Sequence, residues 1–170
     1  MRRILLVLAV GGLAFSLGCS DRLASMQDLV KGTWALQSRR LPDGKVLTPP
    51  HISGFMQWSP IDSRTAHVTL DVLLRPEGGE SVFDHSASTC EISTSAITRK
   101  RHMLIRRGYK SSSQEPIVYY NKERSFKGKV SVEGDQFTIS HEEGETQVFK
   151  GDTMTATISG GFADTWKRIR

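Results

Sequence analysis

Apolar residues recur at every second position along most of this chain, and that period constrains the fold more than anything else in the sequence. Ala66, Val68, Leu70, Val72 and Leu74 fall on one side, with Thr65, His67, Thr69 and Asp71 on the other. Phe126, Gly128, Val130 and Val132 alternate with Ser125, Lys127, Lys129 and Ser131. Phe137 and Ile139 alternate with Gln136, Thr138 and Ser140, and Met154, Ala156 and Ile158 with Thr153, Thr155 and Thr157. Successive side chains of a strand point to opposite faces, so each segment predicts a strand with one buried and one wet side.

Turn signals separate these segments. They are Pro42-Asp43-Gly44-Lys45, Glu77-Gly78-Gly79, Glu133-Gly134-Asp135, Glu142-Glu143-Gly144-Glu145, Lys150-Gly151-Asp152 and Ser159-Gly160-Gly161. Gly enters positive φ without steric cost and Asp supports turns through local hydrogen bonds. Strands at spacings of about 8–12 residues joined in this way argue for an all-β barrel or sandwich. The region Glu123–Arg170 reads as an up-and-down meander, whose edges closure into a barrel would remove. The stretch Ser81–Ser113 breaks the period, and irregular structure with longer loops is expected there. No internal repeat is evident.

The first residues differ in kind. Arg2 and Arg3 precede Ile4–Leu17, a stretch without charge, and Ser20-Asp21-Arg22 ends it. A basic start, a short apolar centre and a small residue before the break define a secretory signal. Spanning a bilayer takes roughly 20 apolar residues, more than this stretch supplies. Ser16-Leu17-Gly18-Cys19 resembles the lipobox of bacterial lipoproteins, although Ser16 stands where that pattern usually has Leu. The resemblance implies cleavage before Cys19, acylation of Cys19 and attachment to membrane lipid. Burial contributes about 0.8 kcal/mol per CH₂, and more than one chain is needed for stable anchoring. Ser20 rather than Asp after the cysteine implies the outer membrane over the inner, on the periplasmic side of the cell envelope. The expected organisation is a signal peptide over 1–18, a lipidated tether over 19–30 with a short helix carried by Leu23, Met26, Leu29 and Val30, and one domain over 31–170.

Charge and cysteine content narrow the partners. The chain has 170 residues and a formal charge of +5, of which Arg2 and Arg3 supply two. The exported remainder is thus only mildly basic, and no nucleic acid is expected as partner. Of the two cysteines, lipidation of Cys19 leaves Cys90 alone, so no internal disulfide holds the domain. Cys90 reads as a small buried residue, with pairing to another chain as the alternative.

Several blocks resemble the bacterial lipocalin-like domain family, within the wider calycin group of small barrels. Leu29-Val30-Lys31-Gly32-Thr33-Trp34-Ala35-Leu36-Gln37-Ser38 is similar to that family's opening strand, and Pro42-Asp43-Gly44 to its first turn. Ser53-Gly54-Phe55-Met56-Gln57-Trp58-Ser59-Pro60 resembles its second strand, Phe126–Asp135 a later hairpin, and Trp166-Lys167-Arg168 the closing strand. The resemblance implies a single up-and-down β-barrel of about 8–10 antiparallel strands. It also implies that Trp34 plugs one barrel end with Arg168 stacked upon it, a structural pair.

Residues that carry chemistry are sparse. His51, His67, His85, His102 and His141 show no HxH or HxxxH spacing, so neither a metal site nor a cofactor is expected and the histidines read as surface or rim residues. No nucleophile elbow or Cys–His pairing is visible; Asp84 and His85 are adjacent and so face opposite sides of a strand. No enzymatic activity is expected. Glu142, Glu143 and Glu145 read as exposed carboxylates around Gly144. Arg99, Lys100, Arg101, Arg106 and Arg107, with His102 and Lys110, surround Met103-Leu104-Ile105. Such a basic hairpin either touches anionic headgroups, at roughly 1 kcal/mol per cation near the surface, or is a solvated face guarding an edge. Tyr109, Tyr119 and Tyr120 are expected near the same end.

These readings converge on a membrane-anchored lipocalin-like lipoprotein that binds a small apolar or amphipathic ligand inside its barrel. Trp58, Val68, Leu70, Val72, Val130, Phe137, Ile139, Met154 and Ala156 are the inward candidates. The same residues would fill a solid barrel, and the alternative is a non-enzymatic structural or interaction lipoprotein with a packed interior and a basic surface hairpin. The oligomeric state is not legible.

Overall fold

The computed structural model describes residues 23–75, 77, 81–108 and 117–169, with only the backbone of 117–123. The proposed signal peptide, Cys19, Tyr109, Lys110 and the Gly78-Gly79 turn lie outside the described residues, as do the side chains of Tyr119 and Tyr120. Helix α1 (residues 23–30) leads into β1 (Gly32–Arg40), β2 (Val46–Leu47), β3 (Ile52–Pro60), β4 (Thr65–Leu74), β5 (Val82–Ile92) and β6 (Ala96–Arg107). β7 (Ile117–Glu133), β8 (Gln136–His141), β9 (Glu145–Lys150), β10 (Thr153–Ile158) and β11 (Ala163–Ile169) follow.

Strands β3 to β11 pair in chain order, each antiparallel to the next, and β11 returns to β1. With β1 paired to β3, the sheet closes into a ten-stranded up-and-down antiparallel barrel, and β2 is a short spur on Arg39 and Arg40 of β1. Ten strands enclose a wider interior than the eight that side chains alone can fill.

The two ends differ. At one, α1 packs Leu23, Met26 and Val30 into the barrel core. Gly32 joins helix to strand at φ 117°, a conformation open to glycine at low cost. The Trp34 indole N–H donates to the Val30 carbonyl at 2.9 Å, and Arg168 Nη2 donates to the Leu29 carbonyl at 2.6 Å. The Arg168 guanidinium lies 4.5 Å from the Trp34 ring centroid, a contact worth about 0.5–2 kcal/mol depending on desolvation. Tight turns between β5 and β6, β7 and β8, and β9 and β10 sit at this closed end.

Above the plug the interior is filled with rings. Phe149 stands edge-on to Trp34 at 5.4 Å and to Trp58 at 5.9 Å, with Phe137 tilted against it at 6.0 Å. Phe137, Ile139, Phe149 and Met154 are fully buried. These are the inward positions of the period-two pattern, and their burial is the main source of stability for a chain whose one described cysteine is unpaired.

The middle of the chain corrects the expectation of irregularity. Val82–Ile92 and Ala96–Arg107 are two long, regular strands joined by a three-residue turn. Their register shifts between Ala87 and Ser88, and the β6–β7 register shifts between Arg101 and Met103. A β-bulge adds one residue to one strand and so changes which residues face inward. Both shifts skip His102, so the period breaks in β6 while the strands run on.

Candidate functional site

The half of the barrel away from α1 carries charged residues on its inner face. On β6, Arg99 and Arg101 alternate with Thr98 and Lys100 and share the inward side with Ile97; past the bulge, Leu104 and Arg106 point in. Asp84, Ser86 and Ser88 reach in from β5, Glu145 from the start of β9, and Arg39 and Asp164 from β1 and β11. Together with Met56, Leu70, Val72, Leu104, Ala156, Ile158, Phe162 and Trp166 they enclose a cavity of about 200 Å³ that opens toward the β6–β7 end. The lining mixes apolar side chains with guanidinium and carboxylate groups.

Three ion pairs organise the charged groups. Arg39 Nε and Nη2 donate to Asp164 Oδ1 and Oδ2 at 2.6 and 2.7 Å. Both side chains are buried, and the Arg39 guanidinium also lies 3.7 Å from the Phe162 ring centroid. This planar two-point match is the strong form of a carboxylate contact. Burial nonetheless pushes the Asp164 carboxyl above the usual carboxylate range. Arg99 Nη2 donates to Glu145 Oε2 at 3.2 Å, and Gln147 Nε2 donates to Glu145 Oε1 at 2.6 Å. Burial acts to raise the Glu145 carboxyl, but Arg99, Gln147 and His141 outweigh it and hold the carboxyl low. Arg106 Nε and Nη2 lie 3.1 and 3.0 Å from Asp84 Oδ2.

Arg101 is different. It lines the cavity, yet no carboxylate stands within ion-pair distance of it among the described residues. Burial, followed by repulsion from Arg106, Arg124 and Arg99, draws its guanidinium below the ordinary arginine value. Arg99, Arg101 and Arg124 all sit about the Phe126 ring, with centroid distances of 4.8, 5.1 and 5.1 Å.

Below the main cavity a chamber of about 30 Å³ shares its wall through Met56, Leu70, Ser86, Ser88, Arg99 and Glu145. Trp58, Val68, Cys90, His141 and Gln147 complete it. Arg99 Nε, His141 Nδ1 and Gln147 Oε1 are buried there without a partner among the described residues, and a space of this size accommodates one water molecule. Burial first, then Arg99, lowers the His141 imidazole, so it is neutral at neutral pH. Burial pushes the Cys90 thiol up to about 12.

Leu70 and Val72 border the large cavity, Trp58 and Val68 the small one, while Phe137, Ile139 and Met154 belong to the filled half and border neither. The basic cluster is corrected from a hairpin face to a single strand whose sides diverge. Arg99, Arg101 and Arg106 turn inward, where no flat membrane surface can meet them. Lys100 pairs with Glu91, two residues along β5 from its register partner Thr89, and Arg107 is exposed. Two further readings are corrected. His141 is buried rather than on the surface, and Glu145 is an interior ion-pair partner rather than a loop carboxylate. Asp84 faces Arg106 inside while His85 pairs with Asp71 outside. Sequence reasoning passed over Arg39, Glu145 and Asp164; the signal available was that Asp164 shares the Trp166 face of its strand.

Among the described residues, no group of three or more His, Cys, Asp or Glu side chains is placed to hold a metal ion. Compared with known proteins, the chain matches no family model and no curated sequence.

Proposed function

We propose that this chain is a lipid-anchored, non-enzymatic lipocalin-like lipoprotein of the bacterial cell envelope that binds a small amphipathic molecule inside its barrel. The observation that carries the reading is the mixed lining of the cavity. Met56, Leu70, Val72, Leu104 and Trp166 offer apolar surface, and Arg99, Arg101 and Arg106 of β6 offer hydrogen-bond donors. Ligand sites combine such apolar lining with a few placed polar groups that fix orientation. The cavity of about 200 Å³ is below the roughly 300–1,000 Å³ of sites for drug-sized molecules, so the ligand is small or leaves part of itself at the mouth. In this reading acylation at Cys19 holds the protein on the periplasmic side of a membrane, preferentially the outer one.

Native mass spectrometry on the chain from Ser20 onward, purified from a bacterial periplasm without detergent, tests the binding claim. A reproducible added mass that disappears on solvent extraction is the expected result. A clean unliganded mass, unchanged after incubation with fatty acids and phospholipids, would reject the carrier reading in favour of an interaction protein. The anchor is tested separately: Cys19→Ala should abolish palmitate incorporation and release the protein from the membrane fraction.

A further inference from the structure

Among the described residues, the charges lining the large cavity do not balance. Four guanidiniums (Arg39, Arg99, Arg101 and Arg106) face three carboxylates (Asp84, Glu145 and Asp164), and each carboxylate is engaged by one arginine. Among the described residues Arg101 is the cation left over. Its surroundings make that costly. Its register partner across the β6–β7 ladder is Arg124, and like charges directly opposite one another destabilise a sheet. Partial burial adds a desolvation cost that Asp84, already engaged by Arg106, offsets only in part. The donor side is in surplus as well. The Trp166 indole N–H, on a cavity-lining residue that is 1% exposed, has no acceptor among the described residues, and neither does the buried Arg99 Nε.

We infer that the cavity is an anion site, in which the carboxylate or sulfate-like headgroup of a small amphiphile is held by Arg101 while its apolar part lies against Leu70, Val72 and Leu104. The inference rests on the carrier reading above and assigns the headgroup chemistry it left open. A single negative charge completes the fourth pair, relieves the Arg101–Arg124 repulsion and gives a planar guanidinium the oxygen partners it fits best. A cationic or neutral headgroup does none of these. A site under strain when empty and relieved by its ligand also explains why the sheet tolerates two arginines in register at its mouth.

The test is calorimetric titration of the chain from Ser20 onward, which contains every residue of the core cluster, with octanoate, octyl sulfate, octanol and octylammonium. Octanoate and octyl sulfate should bind at least about tenfold more tightly than octanol, with octylammonium weakest, as expected for a hydrogen-bonded charge. Arg101→Gln should weaken the two anions by about tenfold or more and leave octanol unchanged. Its melting temperature should not fall, because the substitution removes a repulsion. Lys100→Gln, which removes the outward neighbouring charge, should leave all four affinities as they were. Equal affinity for octanol and octanoate, or full octanoate affinity in Arg101→Gln, overturns the anion site while sparing the carrier reading. Binding of none of the four overturns both.

Discussion

Within one barrel, the half nearest α1 is packed with Trp34, Trp58, Phe137, Phe149 and Met154, while the half nearest the β6–β7 end is lined by Arg39, Asp84, Arg99, Arg101, Arg106, Glu145 and Asp164 around open space. Both halves are made by the same strands and the same alternation. β9 carries Glu145 at one end of its inward row and Phe149 at the other, and β11 carries Asp164 and Trp166 two residues apart. What changes along each strand is the residue type allowed at inward positions. Close-packed apolar rings leave no gap and hold the fold. Paired charges around a void add little net stability, so their retention there points to a use other than folding. The barrel thus separates its stability and its chemistry along its axis.

Truncation should expose that division most sharply. Phe149→Ala removes a ring that touches Trp34, Trp58 and Phe137, and should cost about 3–5 kcal/mol, read as a lowered urea midpoint. Leu70→Ala, at the wall of the cavity, should cost about 2 kcal/mol, at the low end for such changes, because the void already borders it. Equal losses would mean that both halves are packed alike. The second comparison is electrostatic. Asp164→Ala strands the buried Arg39 and should cost about 3 kcal/mol, with Phe162 still covering the guanidinium. The double variant Arg39→Met/Asp164→Leu should lie within about 1 kcal/mol of the parent or above it. A double variant as unstable as the single one would make the pair a structural element of the open half.

The filled half was the legible one. Period two placed Phe137, Ile139 and Met154 inside, and the turn residues placed the strand ends, because burial there requires apolar side chains and nothing else competes. The open half obeys the same geometry, yet its inward residues are charged and read as surface. Arg99 and Arg101 share a face with Ile97, but in isolation Arg-Lys-Arg resembles a solvated strand. Glu145 follows the exposed Glu142 and Glu143, and only closure of the barrel brings Arg99 to it from 46 residues away. The bulge at His102 hid the rest by shifting the period within β6. Long-range pairing, not local propensity, makes this site.

Acid should act on the open half before the closed one. Burial and Arg99 lower the His141 imidazole below its ordinary 6.5. Between its folded value and 6.5 the unfolded chain binds more protons, so stability falls as pH drops through that interval and is unaffected by His141 above it. The slope cannot exceed about 1.4 kcal/mol per pH unit from one group. Glu145, held low in the folded state, adds a loss of the same sign below its ordinary 4.5. Urea midpoints measured from pH 7.5 to 5 should therefore decline in the parent and decline less in His141→Gln. An identical decline in both would take His141 out of the acid response.

The smallest effect locates the boundary between the halves. Cys90 is fully buried and lines the 30 Å³ chamber beneath the main cavity, and its thiol is pushed up to about 12. Reaction with a thiol reagent requires the thiolate. In a chamber sealed from the mouth, native Cys90 should label only as fast as the protein unfolds, with no measurable change in stability from its presence as a thiol. Raising urea within the native baseline should speed labelling in step with global opening. Labelling faster than unfolding and insensitive to urea would mean instead that the small chamber opens into the large one. The passage would run past Ser86, Ser88 and the Arg99–Glu145 pair that the two spaces share. The apolar half would then begin one layer deeper, at Phe137 and Phe149.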